Sequence, residues 1–234
     1  MTATFDFTDR VALVTGASGA LGSAVVQAFV DAGATVAATD VVDIERDDSL
    51  LDPGDGIHFY RADFTDETAV AETVGQVIAE HGRLDYLLNV AGTWRGGDHI
   101  ADTDTDQFDL LFDVNLKTAF LASKHALPAL AETEGAIVNV SARSSLAGGE
   151  GDGLYRASKA GVRILTETLA EENRGTVRAN CVMPSVLDTP TNREMMTPTD
   201  EWVDPADVAQ VMQFLCSDAA SVTSGAAVPV YGEA

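Results

Sequence analysis

The chain has 234 residues, 46% of them hydrophobic, enough for one α/β domain with a sizeable core. Its 37 acidic residues against 14 basic ones leave a formal net charge of −23, a surface that repels nucleic acid and anionic lipid. No run of about 18 apolar residues marks a membrane span. The opening residues carry neither a basic nor an apolar leader pattern, so a cytoplasmic protein is expected.

The first apolar run, 10–15, reads as a strand and leads directly into Gly16-Ala17-Ser18-Gly19-Ala20-Leu21-Gly22 and a helix over 20–32. Strand, glycine-rich turn and helix in that order form a dinucleotide fingerprint: Gly16 allows the tight turn, and small residues let backbone N–H groups approach a pyrophosphate at the positive helix end. A second strand, 35–39, ends in Asp40, about twenty residues past the glycines. A carboxylate there accepts hydrogen bonds from the adenosine ribose and repels a 2′-phosphate, which favours NAD(H) over NADP(H), and no Arg follows it directly.

Further strands are expected at 57–61, 84–89, 135–140, 177–183 and 227–231, with helices at 66–81, 105–131, 154–173 and 205–217. This alternation predicts a single-domain, doubly wound α/β Rossmann fold. Its seven-stranded parallel sheet would carry helices on both faces, with ligand at the carboxyl ends of the strands. Within the helix at 154–173, Tyr155 and Lys159 stand four positions apart, on one face. An ammonium beside a phenol favours the phenolate, which makes the phenol a usable proton donor near neutral pH.

Ala62-Asp63-Phe64, Asn89-Val90-Ala91-Gly92, Asn115 in Val-Asn-Leu, the Tyr155/Lys159 pair and Pro184-Ser185-Val186-Leu187-Asp188-Thr189 follow one another in the order of the short-chain dehydrogenase/reductase family. The chain resembles that family from Arg10 to Gly232. The resemblance implies hydride transfer between NAD(H) and a small carbonyl or alcohol substrate. Tyr155 would act as acid or base, Lys159 would lower the Tyr155 pKa and bind the nicotinamide ribose, and Asn115 would extend the proton path through its backbone and a water. It likewise implies cofactor contacts at Gly16, Ser18, Gly19, Ala20, Leu21, Gly22, Asp40, Asp63, Phe64, Asn89, Ala91, Gly92, Tyr155, Lys159, Pro184, Leu187 and Thr189. A homo-dimer or homo-tetramer built on the helices at 105–131 and 154–173 also follows from it.

Departures from the family pattern carry information too. The middle glycine falls one place early, at Gly19, with Ala20 in its slot. Ala142 stands thirteen residues before Tyr155, where relatives place a serine that polarises the substrate oxygen; Ser141, Ser144 and Ser145 are its possible replacements. Strand alternation turns Ser141 away from the Ala142 face. The dihydropteridine reductase branch lacks that serine, and it is similar to this chain at 39–42, at Ala142-Arg143 and at 187–193. A reductase of a quinonoid acceptor is therefore one alternative, and a non-catalytic NADH-binding sensor another. Met195, Met196 and Trp202 are candidates to line the pocket. His58, His81, His99 and His125 are assigned to neither metal nor catalysis, and Cys181 and Cys216 read as buried thiols in a reducing compartment. Only three of the basic residues are lysines, a composition that resembles a salt-in halophile protein.

Overall fold

Val11–Thr15 (β1) is buried along its whole length, as an apolar run without alternation requires when both faces of a sheet are covered. In the computed structural model, which describes residues 4–46 and 48–232, this strand is followed by Ala20–Asp31 (α1), Thr35–Asp40 (β2), Ile57–Arg61 (β3), Glu67–His81 (α2) and Tyr86–Asn89 (β4). Thr105–Phe112 (α3), Thr118–Glu132 (α4), Ala136–Val140 (β5), Gly153–Glu172 (α5) and Arg178–Pro184 (β6) come next, then Pro190–Met195 (α6), Pro205–Cys216 (α7) and Ala227–Val230 (β7). The seven strands pair in parallel in the order β3-β2-β1-β4-β5-β6-β7, so the expected Rossmann sheet is present.

Helices α1 and α7 pack together on one face, burying Phe29, Met212 and Leu215 with Val14 and Val138. On the other face α2, α4 and α5 cover Leu13, Leu87 and Ile137. Burying each such side chain contributes roughly 1.5–3 kcal/mol. The strand order reverses between β1 and β4, and Thr15 pairs with both Thr39 and Asn89, so these strand ends lie level around a crevice at the switch point. At the opposite end of the sheet, buried Asp85 accepts from Val11 N at 2.9 Å and from the guanidinium groups of Arg10 and Arg83.

Two local features depart from the expected elements. The helix anticipated over 105–131 is divided by a π turn, Asp113–Lys117, between α3 and α4. A π turn carries one residue more than an α turn and is often found at functional sites. Here it holds Asn115 buried beneath the loop after β4. The short helix α6 was not anticipated; Thr189 Oγ1 caps it by accepting from Asn192 N, and Pro190 presets its first turn. Among the described residues no helix is long and apolar enough to cross a membrane.

Candidate active site

The crevice at the switch point has a volume of about 520 Å³ and opens into a second cavity of about 1080 Å³, with Leu21, Val90 and Gly92 lining both. The first is built for a phosphate. Gly16 has φ +66, and a Cβ there would lie 2.7 Å from Ala91 Cα; a Cβ on Gly22 would overlap the Gly16 carbonyl. Gly19 is different, since an added Cβ would meet only the Gly16 carbonyl oxygen at 3.5 Å, an ordinary contact. The displaced middle glycine therefore leaves the turn intact, and Ala20 simply begins α1. No side chain caps that helix and no acid stands in its first turn, so its leading N–H groups remain available to an anion.

Asp40 sits beside this turn. Its two carboxylate oxygens accept from Ser18 N at 2.9 Å and from Val42 N at 3.0 Å, so the same side chain that faces the crevice also fixes the glycine turn. Each oxygen keeps a second acceptor site. Asp40, Asp48 and Asp63 line the crevice, and among the described residues no lysine or arginine does. Phe64, Ala91 and Thr189 complete its walls. Thr15 Oγ1 accepts from both Val90 N and Ala91 N at 3.1 Å, tying the loop after β4 to β1. These residues fit a dinucleotide: an anion seat at the helix end, a carboxylate at the ribose position, and glycines where a side chain would collide.

Asn89 lies elsewhere. Its amide donates to Asn139 Oδ1 at 2.8 Å and to Ser123, and Asn139 in turn donates to Thr166. It belongs to a buried polar ladder beneath the site and lines neither cavity.

Tyr155, Lys159, Pro184 and Leu187 line the larger cavity. The Tyr155 hydroxyl makes no hydrogen bond among the described residues. Burial, and then the charge of Asp152, push its pKa up to about 12. Lys159 is buried and donates to the Val140 carbonyl at 2.9 Å, and burial draws its pKa down to about 8. The expected depression of the Tyr155 pKa by Lys159 is thus not present in this arrangement: the ammonium is turned to the end of β5. Lys159 Nζ and Asn115 Oδ1 also lie against Gly92, within 2.9 and 3.1 Å of where its Cβ would be. Asn115 accepts from Thr93 N at 2.7 Å and donates to Thr93 O and Ser158 Oγ, so it clamps both backbone groups of the loop beside the cavity.

The three candidate serines separate cleanly. Ser141 donates to the Lys159 carbonyl at 2.8 Å, away from the Ala142 face as alternation requires. Ser145 lies 3.9 Å from Met183 Sδ. Ser144 lines the cavity with its hydroxyl sealed from solvent and unpartnered, and Ser185 does the same. An unsatisfied buried hydroxyl costs about 1–3 kcal/mol. Nothing in the sequence singled out Ser185 within the segment that begins at Pro184.

Met195 and Met196 line the cavity, and Trp202 does not. Three histidines have acidic neighbours: His81 and Glu80 share the Tyr60 hydroxyl, His99 lies 3.0 Å from Glu150, and His125 lies 3.3 Å from Glu67. No group of three potential metal ligands occurs among the described residues. Cys181 and Cys216 are buried and free.

A parallel sheet with a dinucleotide crevice at its switch point, opening onto a tyrosine-lined cavity, defines a nicotinamide-linked oxidoreductase. The chain belongs to the short-chain dehydrogenase/reductase family: residues 16–232 match the family model described as enoyl-(acyl carrier protein) reductase. It is 34% identical to a 3-oxoacyl-[acyl-carrier-protein] reductase of Thermotoga maritima, over 95% of this chain and 96% of that one. It is also 34% identical to a cis-4-hydroxycyclohexanecarboxylate dehydrogenase of Sinomonas cyclohexanicum, over 97% and 96%. A solved short-chain dehydrogenase/reductase from Brucella melitensis superimposes with a TM-score of 0.88 at 27% identity, over 97% of both chains. Members of the family use NAD or NADP as nicotinamide cofactor.

Proposed function

We propose that the chain is an NAD(H)-dependent oxidoreductase that interconverts a small carbonyl compound and its alcohol, with Tyr155 as the proton donor in reduction and the base in oxidation. The observation that carries the reading is the continuity of the cation-free crevice beside Asp40 with the cavity onto which the unpartnered Tyr155 hydroxyl faces. The dinucleotide supplies or accepts the hydride. Gly16, Ser18, Gly19, Ala20, Leu21 and Gly22 hold its phosphates, Asp40 takes the ribose hydroxyls, and Asp63, Phe64, Ala91, Gly92, Thr189 and Pro184-to-Leu187 flank it.

Tyr155 gives its proton to the substrate oxygen as charge develops there, and the buried Lys159 ammonium, once turned from the Val140 carbonyl toward the tyrosine, offsets the phenolate left behind. Asn115 keeps the Thr93 loop in place beside the cavity. The relatives named for reduction of a 3-oxoacyl group and oxidation of a ring hydroxyl support the carbonyl/alcohol class. The quinonoid-acceptor reading retains one favourable observation, the methyl of Ala142 on the cavity wall, which suits an acceptor needing little polarisation. Exposed Phe120 on α4 (46%) and Ile164 on α5 (49%) support a homo-oligomer through these helices.

Replacement of Tyr155 by Phe tests the assignment. Turnover with a panel of ketones and alcohols should fall on the order of 10²-fold or more, while NADH binding, followed by its fluorescence, persists. Equal turnover in the variant would end the proposal.

A further inference from the structure

Residues 147–153 read Ala-Gly-Gly-Glu-Gly-Asp-Gly, and the segment borders the larger cavity through Ala147 and Asp152 before α5 begins. Glycine loses more backbone freedom on ordering than any other residue, so a segment this rich in it does not keep one course by its own preferences. The course is held from outside, by Arg156.

Arg156 and Asp152 both give up the roles their positions offer. Asp152 is the N-cap residue of α5, where a carboxylate ordinarily accepts from N–H groups of the first turn, yet its side chain makes no cap hydrogen bond. Arg156 stands in that first turn, where the helix dipole opposes a cation. The two side chains meet instead: Asp152 Oδ1 accepts from Arg156 Nε at 2.5 Å, with side-chain exposures of 18% and 26%. A pair this sheltered escapes most of the solvent screening that makes surface ion pairs weak.

The rest of the guanidinium carries the segment. Arg156 Nη1 donates to the Ala147 carbonyl at 3.2 Å and lies 3.5 Å from the Ser144 carbonyl. Gly149 rests directly against the group, since a Cβ added there would collide with Cζ, Nε and Nη2. A second loop is fastened to the first: the Gly151 carbonyl accepts from Gly97 N at 2.7 Å, and a Cβ on Gly96 would lie 2.8 Å from that carbonyl oxygen and 3.0 Å from the Trp94 ring. Trp94, Asp152 and Arg156 line the cavity together with Tyr155.

We infer that Arg156 is a positioning residue for the substrate: held by Asp152, it latches the 144–151 segment, and through Gly151 the 94–97 loop, into one wall of the cavity beside Tyr155. The kinetic part of this inference rests on the carbonyl/alcohol reading. None of these residues lines the dinucleotide crevice, so cofactor binding stands outside the latch. A lysine cannot take the place of Arg156, because a point ammonium has neither the flat face on which Gly149 packs nor the fork that reaches a carboxylate and a carbonyl together.

Two variants take the latch apart without changing the net charge of the cavity. Gly149→Ala pushes the guanidinium off its seat, and Asp152→Ala combined with Arg156→Ala removes both charges at once. Each is compared with the wild type at molar KCl, using cyclohexanone and 2-butanone with NADH and cyclohexanol with NAD⁺. In both, kcat/KM should fall about 10²-fold, carried by KM with kcat largely kept, while NADH affinity, followed by its fluorescence, is unchanged. Arg156→Lys, which keeps the charge and loses the fork, should show the same rise in KM. Hydrogen exchange gives a readout that needs no turnover: the Gly97 amide, protected by Gly151 in the wild type, should exchange faster in all three variants. Any of four outcomes overturns the inference: an unchanged KM, a loss of NADH affinity that matches the rise in KM, a wild-type KM in Arg156→Lys, or Gly97 exchange as slow as in the wild type. If the wild type turns over none of the three compounds, the carbonyl/alcohol reading fails with them, and the exchange of Gly97 alone decides the latch.

Discussion

Lys159 Nζ donates to the Val140 carbonyl at 2.9 Å, which fixes the ammonium at the end of β5 and within the site. Burial holds its pKa near 8, while burial and Asp152 hold that of Tyr155 near 12. As pH rises, Lys159 therefore loses its proton first, and the charge that offsets the developing phenolate goes with it. Carbonyl reduction is expected to decline above pH about 8. In Lys159→Met, turnover should drop on the order of 10²-fold and the remaining activity should lack that decline. A pH profile of kcat/KM with the same fall in both proteins would place the titrating group elsewhere.

Much of this site was readable in the chain because its parts are local. The glycine turn, Asp40 at the end of a strand, and Tyr155 four residues from Lys159 each follow from spacing within one element. What stayed hidden depends on contacts between distant segments. Asn89 could be placed at the end of a strand, yet only the register with Asn139 shows its amide turned into the core. The direction of the Lys159 head depends on Val140, nineteen residues away, and the isolation of the Ser144 hydroxyl on how one turn packs. The π turn has no residue signature, since inserting one residue leaves the helical composition around Asn115 unchanged.

Asp40 should decide between the two nicotinamide dinucleotides. Replacing it with Ser removes a charge-assisted acceptor, worth about 1.5–3 kcal/mol, and also loosens Ser18 in the glycine turn. Binding of NADH is expected to weaken roughly 10- to 100-fold, with NADPH gaining relative to it. Parallel titrations of both dinucleotides measure this, and an unchanged preference would mean that another group reads the ribose.

Far from the active site, Asp85 should be the most sensitive carboxylate for stability. Burial raises its pKa, but hydrogen bonds from Arg83, Val11 N and Arg10 outweigh that and leave it below the usual value of 3.8. The folded form therefore gains stability from the ionised group above pH 3.8, and loses it as pH falls through the lowered folded value. Asp85→Ala leaves the Val11 N–H without its partner and releases two partly exposed guanidinium groups, so unfolding in urea at pH 7 should show a loss of about 1–3 kcal/mol. The variant should also show a flatter dependence on acid. A loss under about 1 kcal/mol would mean the clamp is no stronger than a surface ion pair.

Salt should stabilise this protein. Its ion pairs are mostly exposed, as in Arg46–Asp48 and Arg174–Glu171, and pairs of that kind contribute about 0–1 kcal/mol each. Salt weakens those modest attractions, but it also screens the self-repulsion of a net charge of −23, and the repulsion is the larger effect. Since the Debye length shrinks from about 10 Å at 0.1 M to about 3 Å at 1 M, the melting temperature should climb across that range of KCl. A flat or falling curve would contradict the halophile reading of the composition.

The π turn at Asp113–Lys117 makes Asn115 depend on the length of its segment as much as on its own identity. Deleting a single residue there would let α3 and α4 fuse into one regular cylinder and swing the asparagine by about 100° around it. The amide would then leave Thr93 without any of its atoms having been altered. Substitution scans would miss that vulnerability, whereas single-codon deletions across the segment would expose it.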